Sequence, residues 1–192
     1  MIERQQTLQF LTQNELRCLL NKAKTESHRN YCMILLAYRH GLRATETCNI
    51  TVENLDLEAG NIRCNRGKGS ISNWQQLAED EIKAIKVWMK KRPKTTNPCL
   101  FISRKGTPVS RSQFFKIFQN LAEKTGLASE KRHPHILKHS LGTHLANAGV
   151  PPQVIQNRLG HRNIQNTMVY MTISSGFVDK MVNAAMANGN VV

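Results

Sequence analysis

Stretches of helical length follow one another along this chain, and most of them are closed by glycine or proline. Thr12 and Glu15 stand three apart as a capping box and predict a helix over 12–24. A second helix is expected over His28–His40, with Tyr31, Ile34, Leu35, Leu36 and Tyr38 facing apolar surroundings and Gly41 ending it. A short helix follows Arg43. Another spans about 78–91 ahead of Pro93, and Ser110 caps one that runs to Thr125 before Gly126. Pro134 opens a helix that Gly149 ends, Pro151 and Pro152 open one that stops near Gly160, and Asn163 caps a last one through Tyr170. Between these lies a short span with sheet signals. Asp56–Gly60 reads as a turn, Asn61–Asn65 and Ser70–Trp74 as strands, and Arg66–Gly69 (RGKG) as the hairpin turn joining them. Leu100–Ile102 is expected as a short strand before the loop SRKGTPVS. The fold class expected is therefore mainly α with a small antiparallel β-sheet. At 192 residues the chain suits one compact domain or one domain with an arm.

Charge narrows the function. Twenty-seven Lys+Arg against 13 Asp+Glu leave +14. Such a surplus on a small domain points to a polyanion, nucleic acid foremost, because neutralising phosphates releases counterions. A membrane surface fits poorly, since no basic amphipathic helix carries exposed Trp or Phe. Cysteines 18, 32, 48, 64 and 99 are odd in number and form no C-x-x-C, so reduced thiols in a cytoplasmic protein are expected, with neither disulfide nor zinc site. The N-terminus lacks an apolar signal core. There is no G-x-G-x-x-G, no P-loop and no carboxylate cluster suited to magnesium, so any phosphate chemistry is expected to proceed without metal or cofactor.

Residues 133–139 read HPHILKH. On a helix, Leu137, Leu141, Leu145 and Ala148 form one apolar stripe, while His135, Lys138, His139 and Gly142 fall on the opposite side. Gly142 leaves room for a close approach. A zinc protease needs H-E-x-x-H, and Ile136 stands where the general base belongs. A cation between the two histidines also opposes a divalent ion. Two readings remain open on this stretch alone: a solvated polar face, or a set of donors aimed at a phosphate oxygen. The second needs partners, and they are present. Arg43 and Glu46 sit in GLRATE, Lys68 at the hairpin tip, and His161 in LGHRNIQNTMVY nine residues ahead of Tyr170. Singly, each has an ordinary explanation: a surface ion pair, a turn residue, a helix cap, a core tyrosine.

In this order the set resembles the tyrosine recombinases, or phage integrase family, whose pattern is G-x-R-x-x-E, a hairpin lysine, H-x-x-R-H, then L-G-H and a tyrosine nine residues on. The likeness spans roughly 8–175. RNYCMILLAYRHGLRATE, LFISRKGTPVSR and LGHRNIQNTMVYM are similar to the small fimbrial phase-variation invertases. The resemblance implies a catalytic domain over 1–173 without a separate N-terminal core-binding domain, and a tail over 174–192. Within that tail Phe177, Val178, Met181, Val182 and Ala185 have the spacing of an amphipathic helix or docking arm. It implies that Arg43 contacts the scissile phosphate, Lys68 protonates the leaving 5′-oxygen, His135 assists proton transfer, and His161 donates to a non-bridging oxygen. Tyr170 would be the nucleophile, with Glu46 and His139 in support. It further implies double-stranded DNA with inverted repeats, a tetramer on paired sites, and DNA-bending accessory proteins as partners. Outside the site, Arg66, Arg104, Lys105, Arg111, Lys116, Arg132 and Arg162 are expected to contact DNA.

The chemistry is coherent without the likeness. A phenol with a pKa near 10 needs a cationic site or a base to attack at neutral pH. A covalent phosphotyrosine keeps the energy of the cut bond for resealing. One position departs from the family pattern: Lys138 stands where a second arginine is expected. Lysine keeps the charge and loses the planar two-pronged grip, so DNA binding is expected to survive and cleavage to be slow. The rival reading is a DNA-binding regulator that has kept the fold and lost turnover.

Overall fold

The computed structural model describes residues 8–173, with Asn183, Met186 and Ala187. The expected docking tail thus lies almost wholly outside the described residues. Helix α1 (Gln13–Glu26) starts on the predicted box: the Thr12 hydroxyl accepts from the Glu15 N–H, and the Glu15 carboxylate accepts from the Thr12 N–H at 2.7 Å. Helix α2 (His28–Arg39) is capped by Ser27 and buries Cys32 through Ala37 in one run. A helix apolar on all faces belongs in the centre of a fold, and α2 packs against α1, α4 (Glu79–Lys91) and α6 (His135–Asn147). Helix α3 (Ala44–Cys48) follows at once. Helix α5 (Arg111–Lys124) is capped by Ser110, whose hydroxyl accepts from the Gln113 N–H. Then come α7 (Pro152–Leu159) and α8 (Gln165–Ile173). The start of α8 is held by the Asn163 side chain, which accepts from the Gln165 N–H.

The sheet is small and antiparallel, in the order β1 (Leu55–Asp56), β2 (Asn61–Cys64), β3 (Asn73–Gln76). Ile62 pairs with Gln75 and Cys64 with Asn73. Three expectations are corrected. Asp56 belongs to a strand, so the turn begins after it. The second hairpin strand starts at Asn73 instead of Ser70, because residues 70–72 are drawn off to another element: the Ile71 N–H donates to Gly160 O, and Ser70 bridges His161. Leu100–Ile102 is no strand; Cys99 and Ile102 make only isolated bridges, to Thr51 and Pro108. Those residues are nevertheless buried, and the Trp88 indole N–H and Arg92 both donate to Leu100 O.

A main core joins α1, α2, α4, α5, the sheet and the start of α6. A second, smaller cluster holds Leu141, Ala146, Ile155, Leu159 and Tyr170, between α6, α7 and α8. Helix α6 is therefore packed on several sides. Its expected single stripe is corrected: Ile136, Ser140, Thr143 and Ala146 are buried too, whereas Leu145 is half-buried and Ala148 exposed. The described cysteines are free thiols, with Cys18 exposed. No helix among the described residues is long and apolar enough to cross a membrane.

Candidate active site

The site is assembled from loops that leave helix ends. Arg43 caps α3 directly after the Gly41 turn that closes α2. Its backbone N–H donates to Glu46 Oε2 at 2.8 Å, and its guanidinium donates to Glu46 Oε1 and to Ser70 Oγ, both at 2.9 Å. Glu46 is buried and also accepts from the Gly67 N–H and from Arg66. Burial alone would raise its carboxyl; the Arg43 N–H, Arg66 and the Gly67 N–H outweigh that and hold it below the usual range. One carboxylate thereby ties Arg43 to the β2–β3 connection, at whose exposed tip Lys68 stands. The Arg43–Glu46 contact is no surface ion pair.

The nucleophile candidate is buried. Tyr170 is 2% exposed, and its ring lies across Gly142. A Cβ there would sit 2.6 Å from Tyr170 Cζ, so the room noted in the sequence at Gly142 is room for this ring. The phenol oxygen lies 3.3 Å from His139 Nδ1, and His161 stacks nearly parallel to the ring at 6.4 Å between centroids. His139 in turn meets His135 edge to face at 4.3 Å. Burial pushes the Tyr170 hydroxyl up to about 12, with Arg43 pulling the other way. Burial, joined by the neighbouring His135, His133 and Lys138, pulls His139 down to about 4. Burial, Lys138 and Arg43 do the same to His161, also to about 4. His135, the most open of the three, shifts in the same direction. The imidazoles are therefore neutral at physiological pH and able to accept a proton or donate a hydrogen bond.

His161 is positioned by Thr167, whose hydroxyl lies 3.0 Å from Nδ1, leaving Nε2 for a ligand. Gly160 before it adopts φ +67, and a Cβ there would press on Arg66 Nε at 2.8 Å and Ile71 O at 2.9 Å. The hairpin and the α7–α8 turn touch through this glycine.

Lys138 departs from both readings of the quoted stretch. It is 2% exposed, and its Nζ donates to Gly41 O at 2.9 Å and to Leu159 O at 2.6 Å. It is neither on a solvated face nor pointing free into the groove.

Among the residues expected to contact DNA, Arg66 is corrected. Its side chain is fully buried and donates to the carbonyls of His40, Gly41 and Arg158, so it stitches backbone and offers nothing to a phosphate. Arg132 is partly committed, to Leu127 O and Glu123. Arg104, Lys105, Arg111, Lys116 and Arg162 are exposed. Arg111 lines a groove with Arg43, Thr45, Phe115, His133 and His135, whereas Arg104 lines a separate pocket with Glu26 and Arg29. Sequence reasoning missed Ser70, Thr167, His133 and Phe115. Only Thr167 left a signal, being three residues from Tyr170 on one helix face. Among the described residues no cluster of metal-ligating side chains occurs.

This arrangement can hold an anion among Arg43, the histidines and the hairpin, beside a buried phenol. The Phage integrase family matches residues 9–175. Type 1 fimbriae regulatory protein FimB of Escherichia coli strain K12 is 41% identical over 172 residues, covering 87% of this chain and 86% of that protein. FimE of the same strain is 35% identical over 167 residues, with 84% of each chain covered. In three dimensions the chain is similar to the crystal structure of XerA recombinase, with a TM-score of 0.80 and 24% identity, over 94% of this chain and 64% of that one. That likeness shows the shared fold, a mainly helical recombinase catalytic domain with a small sheet. The motif residues thus occur in family order, within a family match that runs through nearly all of the described chain, and the chain belongs to the phage integrase family of tyrosine recombinases.

Proposed function

We propose that the protein cuts and rejoins double-stranded DNA at specific sites, inverting the segment between inverted repeats. The observation that carries this is one juxtaposition: the buried Tyr170 hydroxyl meets His139, the Tyr170 ring lies parallel to His161, and Arg43 is near enough to lend its charge. In the step we assign, Tyr170 Oη attacks the scissile phosphorus, forming an O–P bond as the bond to the 5′-oxygen breaks. The phenolic proton passes to the His139–His135 pair, and Lys68 gives a proton to the departing 5′-oxygen. Arg43 and His161 answer the charge on the non-bridging oxygens. Rejoining is the reverse, with another 5′-hydroxyl attacking the 3′-phosphotyrosyl link.

The resting hydroxyl, at about 12, has to lose its proton to attack. A bound phosphate favours that path, because its negative charge raises the basicity of the adjacent imidazoles. The 41% likeness to a fimbriae regulatory protein supports a promoter-bearing segment as the inverted DNA. Four protomers on two paired sites, docking through residues 174–192 and aided by DNA-bending proteins, complete the proposal.

The buried commitment of Lys138 favours a second reading, a DNA-binding regulator without turnover. Incubation with a nicked half-site, which traps the covalent intermediate, separates the two. We expect a DNA adduct that Tyr170→Phe abolishes. Retarded DNA that never becomes covalent would establish the regulator.

A further inference from the structure

The two carbonyls that receive Lys138 belong to two different helix ends. Gly41 is the left-handed residue closing α2, and Leu159 is the last residue of α7, followed by the left-handed Gly160. Helix C-termini carry unpaired carbonyls and partial negative charge, which a cation satisfies. Here one ammonium serves both ends, from the N-terminal turn of a third helix, α6, at 2.9 and 2.6 Å. Arg66 lies alongside, donating to Gly41 O at 2.9 Å and to Arg158 O at 2.8 Å. Two residues beyond each anchored carbonyl stands a residue of the site: Arg43 after Gly41, His161 after Leu159.

We propose that Lys138 is a positioning residue and not a phosphate ligand: its ammonium clamps the C-terminal ends of α2 and α7, and so sets the separation of Arg43 and His161 on the phosphate. This rests on the recombinase reading above and assigns the departing residue a different task from the one the family pattern implies. A compact ammonium suits the task, since two carbonyls converge on a single nitrogen in a closed space. An arginine there would have to place its planar fork beyond them.

Its surroundings agree. Burial, followed by Arg66 and Arg43, lowers the Lys138 ammonium to about 7, against the opposing pull of Glu46 and Cys64; His135 and His161 face it as further neighbours. The clamp is thus charged below neutrality and a neutral amine above it, whereas an arginine would not titrate.

The test compares the unmodified chain with Lys138→Met in single-turnover cleavage of a nicked half-site, on ordinary DNA and on DNA with an uncharged methylphosphonate at the scissile position. Affinity and melting temperature are measured alongside. We expect Lys138→Met to bind the half-site with unchanged affinity and to cleave about 10²-fold more slowly, the cost of a misplacement of about 1 Å. The deficit should persist on methylphosphonate, because geometry and not charge is missing. The pH–rate profile of the unmodified chain should carry an inflection near neutrality that Lys138→Arg lacks. Rescue of Lys138→Met by methylphosphonate would show a phosphate contact and overturn the proposal. Loss of affinity and rate together, explained by a lowered melting temperature, would reduce Lys138 to scaffolding and overturn it equally. Should Lys138→Met fail to fold, nitrogen-15 lysine NMR of the unmodified chain on an uncleavable half-site decides: the ammonium remains coupled to the two carbonyls, or moves to the phosphate. An unmodified chain that forms no adduct at all would remove the recombinase reading itself, and the positioning role with it.

Discussion

Gly142 shows how a single missing methyl group can hold the side chain proposed as the nucleophile. The Tyr170 ring occupies the space where a Cβ would lie, with three ring atoms within 2.7 Å of that point. Gly142→Ala should therefore displace the ring, costing about 1–3 kcal/mol of stability and about 10² in adduct formation. A urea titration and the nicked half-site assay measure the two; unchanged cleavage would mean the resting position of the ring is irrelevant to attack. The histidines give a second prediction at this scale. His161, 8% exposed, has its pKa depressed from 6.5 to about 4. Between those values the unfolded chain binds a proton that the folded chain refuses, so stability is complete above pH 6.5 and falls as pH drops toward 4. The loss should be on the order of a few kcal/mol, and His161→Asn should flatten it. Short duplex DNA should shrink it as well, because a phosphate beside the ring favours the imidazolium. Stability that rose on acidification would contradict the buried, cation-flanked placement of the ring.

At the scale of elements, Arg66 carries the sharpest contrast between sequence and structure. In RGKG it reads as one more cation at a hairpin tip. In the fold it lies fully buried against the ends of α2 and α7. Arg66→Ala should cost about 3–5 kcal/mol, since Glu46 loses a buried partner and three carbonyls lose donors. Arg111→Ala, on an exposed first turn, should change stability by less than about 0.5 kcal/mol while weakening DNA binding. Thermal melts and a gel-shift series check both; a mild Arg66→Ala would mean the stitched helix ends hold by packing alone. The same contrast explains what could be read in advance. Helices α1, α5 and α8 were legible because Thr12, Ser110 and Asn163 cap them from within the local sequence. The second hairpin strand was displaced because residues 70–72 answer to Gly160 and His161, some ninety residues away in the chain, and no local pattern records that. The motif residues of the site were legible by order and spacing. The inward turn of Lys138 and Arg66 was not, because a cation's direction depends on which orphaned carbonyls the fold brings beside it.

For the molecule as a whole, the count of 27 Lys+Arg overstates the cations available to DNA. Lys138 and Arg66 are buried. Arg39 is paired with Asp80, Lys131 with Glu15, Lys124 with Glu26 and Arg132 with Glu123. What remains near the site is a smaller set: exposed Lys68, Arg111 and Arg162, Lys116 further along α5, and half-buried Arg43, which lines the groove while bonded to Glu46. If every net charge met a phosphate, log K against log salt would slope at about −13 at 0.9 per contact. With roughly five to seven contacts the slope should instead fall between about −4 and −6, and affinity should drop by about 10³ between 50 and 200 mM salt. Replacing an exposed cation that meets a phosphate should make the slope shallower by about one. We expect this of Arg111→Ala and of Lys116→Ala. Lys131→Ala should leave the slope unchanged, since its ammonium already spends its charge on Glu15 at 2.8 Å. Titrations of a single half-site at four salt concentrations would measure these slopes. A Lys131→Ala slope as shallow as that of Arg111→Ala would show that DNA reaches round to the α1 side, and that the binding face is broader than the groove between Arg43 and Arg111.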